Sequence, residues 1–387
     1  MTRPLEGCLV VSIEQAIAAP YCTRLLADNG ARVIKVERTD SGDFARAYDT
    51  RARGLSSHFV WTNRSKESLA LDLKDPEAIE ALRTILSKAD VFIQNLAPGA
   101  VERLGLDPAY LREANPRLIT CSISGYGRGG PEEQRKAYDL LIQAEAGFLS
   151  VTGTHDRVAK AGISIADIAA GVTAYQSVLA ALLNRHKTGQ GDTIEVSMLE
   201  AMAEWMGFPM YFAMDGQEPP SRNGAGHATI YPYGPFDTAD GQVLFGLQND
   251  REWSVFATDV LQRPDLASDA RFAGNSGRAA HRAVLDPVIR GVLASLSTSE
   301  ALERLAMAGI GTARVNDMHD LWEHPQLDAR RRWREFDTPA GPMRGLKPVT
   351  GDAWEPRFDP VPSLGEHTRA ILSEFGCAPT DEKEGKP

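Results

Sequence analysis

Short apolar segments alternate with amphipathic segments along the first half of the chain. Stretches rich in Val and Ile predict strands at 8–13, 31–37, 90–96 and 117–124. Helical spacing of apolar residues, with an Asn-Gly or Asp-Pro signal at two of the ends, predicts helices at 19–30, 75–89 and 106–116. Strands that alternate with helices predict right-handed crossovers and a parallel sheet covered on both faces.

The second half is first mainly helical and then changes in composition. Apolar spacing predicts a strand at 193–197 and helices at 138–151, 167–189 and about 198–214. Residues 215–240 are rich in Gly, Pro and polar residues, which is typical of a linker or an active-site loop. Beyond this segment the pattern predicts a strand at 242–248 and helices around 251–263, 281–307 and 363–376.

We therefore predict an α/β fold. A large Rossmann-like domain with a parallel sheet would be joined to a smaller α+β domain. The predicted limits are 1–215 for the first part of the large domain, 216–325 for the linker and small domain, and 326–387 for a C-terminal segment.

Charge and cysteine content narrow the classes of function. The 387 residues carry a net charge of -10, which disfavours nucleic-acid binding. Residues 1–74 hold 11 Lys or Arg against 9 Asp or Glu, a pattern that an ordinary solvated surface explains. The four cysteines show no metal-ligand spacing, the N-terminus lacks the apolar region of a signal peptide, and no run of about 18 apolar residues appears. We expect a cytoplasmic protein with no metal and no membrane span.

One glycine motif suggests a nucleotide site but stands in the wrong context. GYGRGG at 125–130 follows a predicted strand, as a dinucleotide-binding loop does. No helix starts promptly after Pro131, and no acid closes a second strand about 20 residues further on. The chain also has no P-loop, no G-x-S-x-G elbow and no H-E-x-x-H zinc motif. Nicotinamide, flavin and nucleoside triphosphate chemistry are therefore disfavoured.

A series of longer motifs runs in order over nearly the whole chain. They are APYCTRLLADNGARVIKVERTDSGDFAR (19–46), NRSKESLALDLKDPEA (63–78), ADVFIQNLAPGAVERLGL (89–106), NPRLITCSISGYGRGGP (115–131), YDLLIQAEAG (138–147), ADIAAGVTA (166–174), GQGDTIEVSMLEA (189–201) and YGPFDTADG (233–241). Together they resemble the family III CoA-transferases, which include formyl-CoA and carnitine CoA-transferases. The resemblance implies that the C-terminal segment returns to the large domain and that two chains interlock as a homodimer.

The resemblance also implies a nucleophilic aspartate at the start of the long helix, which is Asp167 here. The residues alone leave an ordinary N-cap role open for this side chain. A helix N-terminus stabilises an ionised carboxylate by about 0.3–1 kcal/mol, and neighbours such as Ile163, Ile165 and Ile168 could keep water away. In this family the aspartate accepts the acyl group from an acyl-CoA, then CoA itself, and finally passes CoA to a second acid. Both intermediates are activated acyl groups, which explains why no ATP motif is needed.

By resemblance, acyl-CoA is bound as a substrate and no cofactor is tightly bound. The implied CoA-binding residues are Ala16, Ile17, Arg38, Leu71, Asp72, Leu73, Lys74, Asn95, Leu96, Ala97, Arg103, Lys136 and Tyr138. Arg38 would pair with a phosphate and stack on adenine. Without the resemblance, surface ion pairs with Glu37 and Glu102 would explain Arg38 and Arg103 better.

Two departures from the family pattern bear on the reaction. Acyl-CoA racemases of the same fold use a His-Asp pair, and the position of that His holds Tyr138, a poor base at neutral pH. A racemase or isomerase is thus disfavoured but stays an alternative, as does a CoA-binding protein without acyl transfer. The run of glycines in formyl-CoA transferase is replaced by RNGAGHATIYPYG at 222–234.

In this replaced loop, Gly224 and Gly226 could bring backbone N–H groups to an acyl oxygen. Arg222 and His227 could bind a second carboxylate. We therefore expect a dicarboxylic substrate, such as succinyl-CoA as the donor, with a small carboxylic acid as acceptor. An ordinary flexible linker is the competing interpretation of this segment.

Overall fold

The computed structural model describes residues 2–377. The strands are β1 Leu9–Ile13, β2 Arg32–Glu37, β3 Lys66–Ala70, β4 Val91–Gln94, β5 Ile119–Ser124, β6 Gly153–Thr154, β7 Arg157–Val158, β8 Thr193–Ser197, β9 Tyr233–Asp237, β10 Gln242–Gly246, β11 Thr312–Arg314, β12 Trp333–Phe336 and β13 Met343–Leu346. The α-helices are α1 Ala18–Asp28, α2 Ser57–Asn63, α3 Pro76–Leu86, α4 Ala100–Arg103, α5 Pro108–Ala114, α6 Asp139–Glu145, α7 Phe148–Val151, α8 Ile165–Thr188, α9 Met198–Trp205, α10 Gly207–Phe212, α11 Asp250–Val255, α12 Pro264–Ser268, α13 Asn275–Ala280, α14 Arg282–Leu293, α15 Thr298–Met307, α16 Met318–Trp322, α17 Pro325–Ala329 and α18 Thr368–Glu374.

The described residues form two compact units. The first comprises residues 2–146, 161–207 and 327–377, and the second comprises residues 147–160 and 208–326. The domain limits given above remain predictions. Relative to them, the compact units place 147–160 and 208–215 with the second unit.

A six-stranded parallel sheet with the order β3-β2-β1-β4-β5-β8 forms the centre of the first unit. The predicted α/β class and its parallel sheet are thereby confirmed. The sheet is buried between helices, with Val11, Ile34 and Phe92 in the core on one face. The strand order reverses between β1 and β4, and in sheets of this kind ligands bind at the carboxyl ends of the strands beside that point.

Helix α2 and strand β3 are absent from the sequence prediction, and in β3 the reason is that the strand looks polar. Strand β3 reads KESLA, yet Lys66 and Ser68 are buried. An alternating or apolar pattern identifies a strand from sequence only when buried positions are apolar. Here a buried ionic cluster replaces part of the apolar core.

That ionic cluster joins β1, β2 and β3. The Lys66 Nζ lies 2.7 Å from Glu14 Oε1, and the Lys35 Nζ lies 2.8 Å from Asp43 Oδ2 and 3.3 Å from Glu14 Oε1. All four side chains are fully buried. Burial alone would raise the pKa of Glu14, but the two lysines outweigh it and lower that pKa. Each charge therefore depends on the others for compensation.

Helix α8 packs against α1 through a glycine. A Cβ atom at Gly171 would lie only 2.7 Å from the Ala18 carbonyl oxygen and would press on the Tyr21 ring. This close approach explains the glycine in the ADIAAGVTA motif. By length and composition, α8 could also cross a membrane, a test that core helices pass as well. In this structure α8 packs on α1, α9 and the sheet of the first unit.

The C-terminal segment of the described chain belongs to the first unit. Thr368 Oγ1 accepts a hydrogen bond from the backbone N–H of Ala70 at 2.9 Å, beside the edge strand β3. Arg32 pairs with Glu374 on α18, and Phe336 and Phe358 join Phe59 in a small core. The segment therefore covers the β3 edge of the sheet.

The second unit is an α+β structure. Its antiparallel sheet has the order β11-β10-β9, and strand β10 confirms the predicted strand at 242–248. Helices α11–α15 pack on this sheet around Phe245, Trp253, Phe256 and Phe272. The predicted helix at 138–151 ends early because Gly147 has φ +76°, so it becomes α6 and α7.

The buried ion pairs make a testable contribution to stability. We expect Lys66→Met to lower the free energy of unfolding by about 3–5 kcal/mol, because Glu14 loses its nearest cation without regaining water. Chemical denaturation followed by circular dichroism measures the change. Glu80→Gln, which removes an exposed partner of Arg83, is the control and should change stability little. A loss below about 1 kcal/mol in Lys66→Met would show that the cluster is not energetically coupled.

Candidate active site

The carboxyl ends of four adjacent strands bring most of the predicted CoA-binding residues to one edge of the sheet. Ala16 and Ile17 follow β1, and Arg38 follows β2. The segment 71–74 follows β3, and the segment 95–97 follows β4. These strands are neighbours in the order β3-β2-β1-β4, so parallel pairing alone places the residues together. This edge includes the point where the strand order reverses.

The Asn95 side chain forms hydrogen bonds with the protein backbone in this structure. Its Oδ1 accepts a hydrogen bond from the Gln15 N–H at 2.9 Å, and its Nδ2 donates to the Gln15 carbonyl at 2.8 Å. Both ends of the amide are therefore engaged by the turn that follows β1. A contact between this side chain and CoA remains a prediction.

The interpretation of Arg38 and Arg103 as partners of Glu37 and Glu102 is wrong. Arg38 donates from Nε and Nη2 to the Gly42 carbonyl at 3.2 Å, while Glu37 pairs with Arg46. Arg103 reaches only the Pro98 carbonyl, at 3.5 Å, while Glu102 pairs with Arg128. Within residues 2–377, neither Arg38 nor Arg103 forms an ion pair with a carboxylate, although the charge of Arg38 acts on nearby Asp40. Both guanidinium groups can therefore still meet an anionic ligand.

The other predicted CoA-binding positions differ in exposure. Leu71 is buried, whereas Asp72, Lys74 and Lys136 are exposed and Tyr138 is 66% exposed. The Asp72 carboxylate accepts a hydrogen bond from the Lys74 N–H at 3.0 Å, which shapes the turn after β3. Exposed lysines at this edge are suited to bind phosphate as point charges.

The GYGRGG loop serves packing rather than phosphate binding. A Cβ atom at Gly125 would lie 2.1 Å from the Ala137 Cβ, so this glycine lets the segment before α6 approach the end of β5. The Arg128 N–H donates to the Glu195 carboxylate at 2.5 Å, and the Gly129 N–H donates to Glu133 at 3.0 Å. In this structure these two N–H groups are occupied by carboxylates.

A cavity of about 240 Å³ lies beside this loop at the carboxyl ends of β4, β5 and β8. Its lining includes Leu96 and Ala97 from the predicted set, together with Gln94, Ser122 and Ser124. The cavity thus adjoins the edge where the predicted residues gather.

Asp167 lies in the first turn of α8, two residues inside a helix that begins at Ile165. The N-cap interpretation is therefore wrong, and so is the predicted start at 167. The cap is provided by Asp139, whose Oδ1 accepts hydrogen bonds from the N–H groups of Ala166 at 2.8 Å and Asp167 at 3.3 Å. Gln143 holds the other oxygen of Asp139 at 2.7 Å. Asp139 thus ties the start of α6 to the start of α8.

The Asp167 carboxylate is set apart electrostatically. Within residues 2–377 it forms no hydrogen bond and no ion pair. Burial, with the negative charge of Asp139 as a second cause, raises the pKa of Asp167 to about 7. Burial and the Asp139 charge therefore outweigh the stabilisation that the helix N-terminus gives to an ionised carboxylate. A half-buried carboxylate without partners, titrating near neutral pH, is suited to act as a nucleophile.

Apolar cover around Asp167 is uneven. Ile165 and Ile168 are half-buried, but Ile163 is 58% exposed. The expectation that all three exclude water therefore does not hold for Ile163 in this structure.

Sequence reasoning missed Tyr48, which lies within electrostatic reach of the nucleophile candidate. Burial and the negative charges of Asp43 and Asp167 raise the pKa of Tyr48 to about 12. The phenol therefore stays protonated and can donate a hydrogen bond. Its ring meets His58 edge to face, with centroids 5.4 Å apart. The nearest family-like motif ends at Arg46, so no signal in the sequence pointed to this residue.

The predicted substrate-loop residues lie in the second unit and have partners there. Arg222 donates to the carbonyls of Thr154 at 3.0 Å, His155 at 2.9 Å and Ser150 at 3.4 Å. The His227 Nδ1 accepts from the Ile230 N–H at 3.0 Å, and its ring stacks on Tyr233. Binding of a second carboxylate by Arg222 or His227 would require these contacts to break. That role remains a prediction.

The two loop glycines are also engaged. The Gly224 N–H donates to the Gly153 carbonyl at 2.8 Å, and the Gly226 N–H donates to the Asn223 carbonyl at 3.0 Å. Gly224 has φ +61°, a conformation that favours glycine. Their predicted approach to an acyl oxygen would likewise need a different loop conformation.

Thiol and metal chemistry find little support in the described residues. Burial raises the pKa of Cys8 and of Cys121 to about 12 and raises that of Cys22, so these thiols resist ionisation. Between residues 2 and 377, no group of three or more His, Cys, Asp or Glu side chains could hold a metal ion.

Comparison with known proteins agrees with this arrangement. A sequence profile of CoA-transferase family III matches residues 5–368. The chain is 32% identical to the succinyl-CoA:glutarate CoA-transferase of Mus musculus, over 96% of this chain and 86% of the relative. It is also 32% identical to the succinate–glutarate CoA-transferase of Agrobacterium fabrum, over 96% of both chains.

A solved structure gives the same result in three dimensions. The crystal structure of a CAIB/BAIF family protein from Brucella suis matches 97% of this chain and 100% of its own, with a TM-score of 0.86 and 32% identity. Sequence and fold thus agree over the full length. The chain belongs to CoA-transferase family III and is a CoA-transferase of that family.

Proposed function

We propose that the protein transfers CoA from a dicarboxylic acyl-CoA, such as succinyl-CoA, to a second carboxylic acid, with Asp167 as the covalent carrier. The observation that supports this most strongly is the isolated Asp167 carboxylate in the first turn of α8, next to Asp139. A carboxylate whose lone pairs are not held by hydrogen bonds or cations is a better nucleophile towards a thioester.

The proposed reaction consists of four attacks at acyl carbon. Asp167 attacks the donor acyl-CoA, forms a mixed anhydride and expels CoA thiolate. The thiolate attacks the Asp167 carbonyl, which gives an aspartyl-CoA thioester and releases the donor acid. The acceptor carboxylate then attacks this thioester and expels thiolate again. The thiolate attacks the acceptor's acyl carbon, which gives acceptor-CoA and free Asp167.

The substrate class rests on relatives and on charge. Both curated relatives described above carry succinate and glutarate in their names, and each is a dicarboxylic acid. Succinate, mesaconate, itaconate, citramalate and glutarate are all candidate acids. Arg38 and Arg103, which form no ion pair with a carboxylate in the described chain, would balance the CoA phosphates.

A panel of donors and acceptors tests the proposed function. We expect wild-type protein with succinyl-CoA and a dicarboxylic acceptor to form acceptor-CoA and free succinate in equal amounts, as measured by mass spectrometry. Asp167→Asn should reduce the rate by at least about 10³-fold and still bind CoA, because the carboxamide is not nucleophilic. Asp156→Asn, at an exposed position of the second unit, is the matched control.

Other outcomes of the panel would contradict the proposal. Accumulation of free acid and CoA without acceptor-CoA would indicate a hydrolase. Exchange of deuterium at the α-carbon without transfer would indicate the racemase alternative. Full transfer activity in Asp167→Asn would exclude this residue as the carrier.

The pKa of Asp167 predicts the pH dependence of the first step. Because the pKa is raised to about 7, the carboxylate is ionised above pH 7 and protonated below it. The value of kcat/KM for acyl-CoA should therefore fall about tenfold per pH unit below 7. Asp139→Asn removes the neighbouring charge and should move this acidic limb to lower pH. A profile that is flat from pH 5 to 8 would contradict the assignment.

We also propose a cytoplasmic homodimer. Its support includes large exposed side chains on and after α9, among them Trp205, Phe208 and Tyr211, which a second chain would cover. Analytical ultracentrifugation should give a mass near twice the 42.1 kDa of one chain. A species of a single chain at micromolar concentration that is fully active would contradict the dimer.

A further inference from the structure

The turn between β1 and α1 has a disfavoured backbone conformation. Ala16 has φ +62°, in the left-handed region that residues other than glycine rarely adopt. The helix after it begins at Ala18 with no side-chain cap and no acid in its first turn. A turn of this kind persists only when its surroundings hold it.

Two side chains from the loops that follow β2 and β4 hold this turn. The Asp43 Oδ1 accepts a hydrogen bond from the Ala16 N–H at 3.0 Å. Asn95 accepts from the Gln15 N–H at 2.9 Å and donates to the Gln15 carbonyl at 2.8 Å. Three hydrogen bonds thus fix two consecutive residues of the turn from opposite sides, since Asp43 follows β2 and Asn95 follows β4.

Asp43 is itself rigidly placed. It is only 2% exposed, its Oδ2 accepts from the Lys35 Nζ at 2.8 Å, and its N–H donates to Glu37 at 3.0 Å. Its Oδ1 also caps the short 3₁₀ helix Phe44–Ala47 through the Ala45 N–H at 2.9 Å. The buried ionic cluster therefore extends its rigidity to the turn.

The held turn leaves particular backbone groups unused. The Ala16 carbonyl would bond to the N–H of residue 20 in a helix, but residue 20 is Pro and has no N–H. Within residues 2–377, the Ala16 carbonyl and the Ile17 N–H form no hydrogen bond. These are backbone groups of the two residues that were predicted to approach CoA.

We propose that Asp43 and Asn95 are positioning residues that hold the Ala16 turn in its left-handed form, so that its free backbone groups are ready to bind CoA. This inference rests on the proposed function, because it takes CoA as the ligand of the turn. If only a fraction of molecules held the turn correctly, the apparent Kd would rise by the inverse of that fraction. The two residues therefore affect CoA affinity and leave the chemical step at Asp167 unchanged.

The test compares Asn95→Ala with the same change combined with Ala16→Gly. Asn95→Ala removes two hydrogen bonds without leaving a buried charge, and should raise the CoA Kd and the KM for acyl-CoA about tenfold, with kcat within about threefold of wild type. Adding Ala16→Gly should lower the Kd again about fivefold, because glycine adopts the left-handed conformation without a steric penalty. Ala16→Gly alone should change Kd less than about twofold, since the turn is already held.

Further variants separate this role from general destabilisation. Asp43→Asn should raise the CoA Kd in the same way, whereas Asp28→Asn, which breaks a buried pair with Arg64 at the far end of α1, should lower stability and leave the Kd unchanged. For each variant, isothermal titration calorimetry with free coenzyme A gives the Kd, and thermal unfolding gives the stability.

The possible results are distinguishable. If wild type binds CoA but Asn95→Ala leaves the Kd unchanged, or if Ala16→Gly fails to restore it, the positioning role is wrong while the proposed function stands. If wild type itself neither binds CoA nor transfers it, the proposed function fails first.

Discussion

Hydrogen bonds from the first turn of α8 to the Asp139 carboxylate are the interaction on which the site depends. Asp139 accepts hydrogen bonds from the N–H groups of Ala166 and Asp167. In many helices an N-cap side chain of the same helix accepts such bonds. Because the Asp139 carboxylate pairs with these N–H groups, the Asp167 carboxylate is left without a hydrogen-bond partner in the described chain. Burial, with the negative charge of Asp139 as a second cause, raises the pKa of Asp167 to about 7. Asp167 therefore titrates near neutral pH, and its ionised form is poorly stabilised, which suits a nucleophile that must form and break covalent bonds.

The sheet places the rest of the site by topology. Four neighbouring parallel strands end at one edge, and the loops after them carry most of the residues implied for CoA. Beneath this edge, buried charges on Glu14, Lys35, Lys66 and Asp43 replace apolar packing. Such a cluster gives little net stability compared with an apolar core, but it imposes one geometry on its partners. Here the geometry imposed is that of the turn at Ala16.

Sequence patterns predicted much of the fold and less of the site. Strands β1, β2, β4 and β5 were predictable because most of their buried positions are apolar, whereas β3 was not because Lys66 and Ser68 are among its buried residues. Asp167 was identified by family resemblance, while its isolation depends on Asp139, a contact between distant parts of the chain that no local pattern reveals. The ion pairs considered for Arg38 and Arg103 were wrong, because the adjacent Glu37 and Glu102 pair with other arginines in the folded chain. Tyr48 carried no signal at all.

The central claim is that Asp167 becomes covalently bound to CoA during turnover. It is tested most directly by incubating the protein with succinyl-CoA, reducing with borohydride and sequencing the peptides by mass spectrometry. The account predicts that Asp167, and no other carboxylate, is converted to homoserine, because borohydride reduces an acyl thioester but not a free carboxylate. Continued CoA transfer with Asp167 unmodified, or with the modification at a different residue, would contradict it.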